Sequence, residues 1–145
     1  MVRFYLGEEP LIESVKTWDL STPRAMNEAL DRLDELVVKP RAGHGGAGVV
    51  LGPLASDNER DQVRQALRNA PNDFIVQDFT PLSTHPTIVD GTLQARHVDL
   101  RPFIFYGADE PVAMPGGLTR VALTEGEMIV NSSSGGGAKD TWVVG

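Results

Sequence analysis

The sequence predicts an α+β fold: a mostly antiparallel sheet with helices along one side. Three observations predict it. Two helical patterns each open on a capping residue, at Ser21 or Thr22 and again at Ser56. Short β-branched runs flank them, and those in the second half follow one another through tight turns rather than helices. With 145 residues and a hydrophobic share of 41%, the chain has the length of one domain and enough apolar content for a core.

The opening "MVRFYLGEEPLIESVKTWDL" is irregular and reads as a connecting segment over residues 1–20, with a core at 21–145. It has no clear start of its own, so the chain is expected to be the C-terminal portion of something longer. Pro23 suits the first turn of a helix whose Met26, Ala29, Leu30 and Leu33 share a face. "ELVVKP" is a buried strand stopped by Pro40, and "GVVLGP" is a second, shorter one. Ser56 and Glu59 have capping-box spacing for a helix that buries Val63, Ala66 and Leu67 and closes at Pro71. "DFIVQDF" is a strand, and "TPLSTHPTIVDG" reads as a loop. "ARHVDLRPFIFY" is the longest strand and is expected to be central, while "PVAMPGGLTRVAL" and "GEMIVNS" add two more. "SSSGGGAKD" reads as a flexible polar segment.

A net charge of −7 argues against a general nucleic-acid binder. No run of about 18 apolar residues offers a membrane span, and acidic residues interrupt the N-terminus where a secretion signal needs an apolar stretch. There are no cysteines, which removes disulfides and thiolate metal sites. A cytoplasmic home follows as the expectation. Of only three lysines, Lys39 and Lys139 border glycine clusters.

Gly43, Gly45 and Gly48 fit G-x-G-x-x-G, in a loop that also holds His44 and Gly46. No lysine follows in Walker spacing, and a β-branched run rather than a helix follows directly, against a dinucleotide fingerprint. Two alternatives remain: a glycine hairpin whose backbone N–H groups cradle phosphates, or an ordinary hairpin. Lys39, on the strand that feeds the loop, favours the first, because a lysine in an apolar strand is costly to bury unpaired. The order of lysine and loop is not that of protein kinases, and no HRD or DFG follows.

Along "RHVDLRPFIFY", His97, Asp99 and Arg101 alternate onto one side, about 7 Å apart. They are either a solvated face with a paired Asp–Arg or the floor of a polar cleft in which Arg101 meets a phosphate or carboxylate. Arg120 follows a double glycine, and Asn131 and Lys139 flank the serine–glycine segment. Separated cations with two glycine segments suit a ligand carrying several negative charges.

Taken together, "VVKPRAGHGGAGVVLGP", "FIVQDF", "LSTHPTIVDG", "RHVDLRPF", "PGGLTRVAL" and "IVNSSSGGGAKDTWV" resemble the circularly permuted ATP-grasp family, which is similar in turn to the synthetase part of glutathionylspermidine synthase. The resemblance implies an ATP-grasp-like fold, present here as a partial domain, that binds ATP and Mg²⁺. It implies activation of a small carboxylate as an acyl phosphate and attack by an amine. Carried over by position, Lys39, Gly43, His44, Gly45, Gly46, Gly48, Gln77, Asp78 and Asp99 would hold the nucleotide, with Gln77 and Asp78 on the adenine-side hinge. Arg101, Arg120 and Lys139 would neutralise the triphosphate or acyl phosphate. The family's Glu-x-Asn metal pattern fails, since Ile129 stands two before Asn131, leaving Glu127 and Asn131 as a loose substitute. The main metal ligands are therefore expected in the rest of a parent chain, and this chain alone is expected to be inactive. The alternative is a non-catalytic nucleotide- or polyanion-binding or structural module.

Overall fold

The computed structural model describes residues 1–43, 45–107, 110–131 and 135–144. Two compact units divide the chain, Met1–Gly43 with Gly48–Thr80, and His44–Ala47 with Pro81–Gly145. Each holds one four-stranded sheet. His44 and the three serines of the C-terminal segment lie outside the described residues.

The first unit begins with a four-residue exposed helix, α1 (Val2–Tyr5). It continues through β1 (Thr17–Trp18), α2 (Pro23–Asp31), β2 (Leu36–Pro40), β3 (Val50–Leu51), α3 (Asp57–Asn69) and β4 (Phe74–Asp78). The strands pair antiparallel in the order β1-β4-β2-β3. Thr22 caps α2 by accepting from the Ala25 N–H at 3.3 Å, and Pro23 occupies its first turn. Leu33 is not on α2 as expected. It lies in the following 3₁₀ turn, Leu33–Glu35, and is still fully buried. The capping box at Ser56 and Glu59 is present on α3. Alternation puts Trp18, Leu36, Val38 and Val76 on one face, where they form a core with Ala29, Leu33 and Leu67 from the helical side. Helices thus cover one face of this sheet, as read from the sequence. The connecting segment is shorter than expected, because Thr17 and Trp18 pair with Gln77 and Val76 and both Trp18 and Leu20 are buried.

The second unit contains β5 (Thr84–Val89), β6 (Thr92–Tyr106), β7 (Pro111–Val121) and β8 (Gly137–Trp142), antiparallel in that order. The expected loop around Thr84–Val89 is an edge strand. Asp90 and Gly91, with φ of 50° and 75°, close it onto β6 as a two-residue hairpin. Pro86 is tolerated because its carbonyl accepts from Lys139 at 2.7 Å rather than from β6. Its missing N–H therefore falls on the outer edge, where no ladder bond is needed.

Residues 126–131 of "GEMIVNS" are not a strand: Glu127 Oε1 takes the Ile129 N–H at 2.8 Å and bends the segment. Of the segment "SSSGGGAKD" read as flexible, Gly137–Asp140 are instead the first part of β8. Glycine allows this, because a Cβ at Gly136 would lie 2.7 Å from the Asn131 carbonyl oxygen and 3.0 Å from that of Val121. β6 is an interior strand, but its C-terminal half is exposed, with Phe105 at 60% and Tyr106 at 85%. There it pairs only with β7, and the register breaks between Pro102 and Ile104. Among the described residues no helix is long and apolar enough to cross a membrane.

Candidate functional site

The face of the first sheet away from the helices has its own alternating set. Thr17, Gln77 and Val37 stand in register across β1, β4 and β2, and Lys39 and Ile75 pair one step along. Val37 is buried, while Ile75 and Leu51 are half-buried, which gives this face an apolar floor. Over it lies a polar chain. Lys39 Nζ donates to Gln77 Oε1 at 2.5 Å, and Gln77 Nε2 donates to Thr17 Oγ1 at 2.8 Å. The lysine is half-buried and its charge is met by an amide oxygen rather than by a carboxylate. A cation left with a neutral partner keeps most of its attraction for an anionic ligand.

Asp78 does not join this set. Neighbouring strand residues face opposite ways, and Asp78 pairs with Leu36 on the helix-covered side, where Arg32 donates to it at 3.4 Å. Arg41, which carried no expectation, ties down the chain entering the glycine loop. Its N–H donates to the Asp73 carbonyl and its guanidinium donates to Asp19 and to the Phe74 carbonyl.

In the loop, Gly45, Gly46 and Gly48 have φ of 66°, 81° and 73°, the left-handed region that glycine alone adopts without strain. A Cβ on Gly48 would press Pro40, and one on Gly46 would meet the Ile129 side chain at 2.9 Å. Asn131 Nδ2 donates to the Gly45 carbonyl at 2.6 Å and so ties the loop to the segment before β8. Glu127 is engaged with the Ile129 N–H, and the two residues do not share a strand face. No group of three His, Asp or Glu side chains able to hold a metal occurs among the described residues. These residues do not fit a resident Mg²⁺.

The second sheet sorts the expected cations onto two faces. Asp99, Arg120 and Ala138 stand opposite one another, and Arg101 follows on the Asp99 side. Arg120 grips the Asp99 carboxylate through Nε at 2.8 Å and through a terminal nitrogen. That hydrogen bond holds Asp99 below the usual carboxylate range, against the cost of burial and with help from the charge of Arg101. Arg101 is exposed, and its side chain makes no hydrogen bond or ion pair among the described residues. Lys139 pairs with Thr119 and so lies on the other face, where its ammonium bonds the Pro86 carbonyl and approaches His85 Nδ1 at 3.3 Å. It therefore does not converge with Arg101 and Arg120. His97, on the Asp99 face, contacts the Leu82 carbonyl at 3.0 Å.

Thr17 was missed in the sequence, where it lies in what read as a connection. The polar–apolar alternation of Thr17, Trp18 and Asp19 was the available signal.

Residues 1–122 match the family model described as circularly permuted ATP-grasp type 2. An uncharacterised protein of Mycobacterium tuberculosis is 50% identical over 144 residues, 99% of this chain and 26% of the relative. One from Synechocystis is 47% identical over 144 residues, 99% of this chain and 30% of its own length. A Frankia casuarinae protein named "Putative glutamate--cysteine ligase 2-2" is 47% identical over 143 residues, 99% of this chain and 16% of its own. The chain thus spans about a quarter of the mycobacterial relative, and less of the Frankia protein.

Proposed function

This chain belongs to the circularly permuted ATP-grasp type 2 family, and from that membership we propose that it supplies the ATP-binding part of an ATP-dependent carboxylate–amine ligase. The observation that carries this reading is Lys39, half-buried above an apolar strand face, paired with a neutral amide and leading directly into a loop of left-handed glycines. An apolar strand face suits a purine, an ammonium with a neutral partner suits a phosphate, and a glycine loop lets backbone N–H groups approach an anion.

ATP would supply the phosphoryl group that converts a small carboxylate to an acyl phosphate, from which an amine displaces phosphate to leave an amide. Lys39 is assigned to the α- and β-phosphates, and Gly43, Gly45, Gly46 and Gly48 to closing over them. Gln77 is assigned to the adenine side. Arg101 is assigned to charge that builds on the transferring group, with Arg120 and Asp99 fixing the surface from which it projects. Lys139 has no part in this set, because its ammonium is committed to β5. Such chemistry depends on positioning and charge stabilisation rather than on a protein nucleophile. No step is assigned to a metal ion held by these residues, and this chain alone is assigned binding without turnover. The cytoplasm, as the compartment of ATP, is the proposed location.

Titration of the wild type and of Lys39→Ala with ADP tests the assignment. The substitution is expected to lower affinity at least about tenfold, in line with loss of a charge-assisted contact. Equal affinities would remove Lys39 from the site. Phosphate release by a full-length mycobacterial relative, over a panel of carboxylates and amines, tests the ligase reaction.

A further inference from the structure

We propose that Thr17 is a positioning residue for Lys39, acting through the side-chain amide of Gln77; this rests on the nucleotide role given to Lys39 above. A threonine hydroxyl has one proton to give. Thr17 gives it to the Val15 carbonyl, at 3.0 Å. Its oxygen can then only accept, and the donor it meets is Gln77 Nε2, at 2.8 Å. The NH₂ end of the amide must therefore face Thr17, and the carbonyl end must face the other way. Lys39 Nζ stands there at 2.5 Å. Rotating the amide by half a turn would set NH₂ against an ammonium and leave the hydroxyl oxygen facing a carbonyl.

The direction of the chain is fixed at both ends, by a backbone carbonyl that only accepts and an ammonium that only donates. All three side chains rise from the face of the sheet away from the helices, on β1, β4 and β2, at register positions that make the contacts short. The consequence is mechanical. A lysine stem has four rotatable bonds, and its free ammonium samples many positions. Here it is held at one position before any ligand arrives, so less ordering entropy is lost when a phosphate binds.

The test is a cycle of four chains titrated with ADP: wild type, Thr17→Val, Gln77→Glu and the double variant, with Thr17→Ser as the conservative control. Valine keeps the β-branched shape and removes the hydroxyl. Thr17→Val is expected to weaken ADP about fivefold, the worth of one net hydrogen bond, while Thr17→Ser retains affinity. A glutamate at 77 has two equivalent oxygens and needs no orienting partner, so Thr17→Val in that background is expected to change affinity by less than about twofold. A second readout, free of nucleotide, is the acylation rate of Lys39 by an amine-directed reagent, followed by mass spectrometry. It rises in Thr17→Val and not in Thr17→Ser. Unchanged affinity and unchanged labelling in Thr17→Val would overturn the inference. So would an equal loss in the wild-type and Gln77→Glu backgrounds. Absence of ADP binding in every chain would overturn the nucleotide role, and the labelling rate alone would then decide whether Thr17 positions the lysine.

Discussion

Asp99 and Arg120 face one another at matched register across β6 and β7, each about four-fifths buried at the side chain. The guanidinium holds the carboxyl below its ordinary range. A carboxylate whose folded pKa lies below its unfolded value contributes stability in full above the unfolded value, near 4, and loses it as pH falls through the folded one. Asp99→Asn is therefore expected to cost about 2 kcal/mol at pH 7 and progressively less as pH falls below the ordinary aspartate range towards the lowered folded pKa. Urea unfolding across this range measures this. A cost that stays constant through the acid range until the protein unfolds would show that the carboxylate charge plays no part.

Gly52 has no room for a side chain. A Cβ there would sit 1.8 Å from the Leu33 carbonyl oxygen and 2.7 Å from that of Leu36, both fixed backbone. Gly52→Ala is expected to destabilise by about 4 kcal/mol or to prevent folding, at the extreme end of single substitutions. Far-ultraviolet circular dichroism and the thermal midpoint report it. A midpoint within a degree or two of wild type would place Leu33 elsewhere.

Ser56 accepts from the Glu59 N–H, while Glu59 bonds both the Ser56 N–H and its hydroxyl. Those two bonds lower the Glu59 pKa. Ser56→Ala is expected to lower stability by about 1 kcal/mol and to return the Glu59 titration towards the ordinary glutamate value, a shift that carboxyl-resolved NMR reads directly.

The outer part of β6 and β7 is a two-stranded ribbon with Phe105, Tyr106 and Val112 all at least 60% exposed. Apolar surface of this kind drives association. Replacing Phe105 and Val112 by threonine is expected to raise the protein concentration at which light scattering begins, with the unfolding midpoint unchanged. An unaltered onset would locate the adhesive surface elsewhere.

Where local chemistry decides, the sequence was legible. Thr22, Ser56 and Glu59 announced the two long helices, and the valines of β2 announced a buried strand. The elements that escaped depend on partners distant in the chain. Pro86 forbids an interior strand but not an edge one, and only the pairing of β5 with β6 alone shows that it is the edge. The glycines before β8 look like a linker until the close backbones of Asn131 and Val121 are known. At the site, Lys39 and Gln77 were legible as candidates, whereas their link depends on β2–β4 register, and Thr17 depends on a strand of two residues. The expected convergence of Lys139 with the arginines failed on a period-two count: a register of Lys139 with Thr119 decides the face, and no single strand reveals it.

Pro86 sits on the outer edge of β5, and Pro102 interrupts β6 beyond the reach of β5, on the side where the Val98 N–H turns to Ser83. Pro115 stands where β8 stops covering β7. A fibril grows by adding strands to an unbroken row of backbone donors, and at each of these places the row has a gap. Strand addition along β5 and along the outer halves of β6 and β7 is therefore interrupted, which leaves β8, a six-residue edge without proline, as the row on which another strand could build.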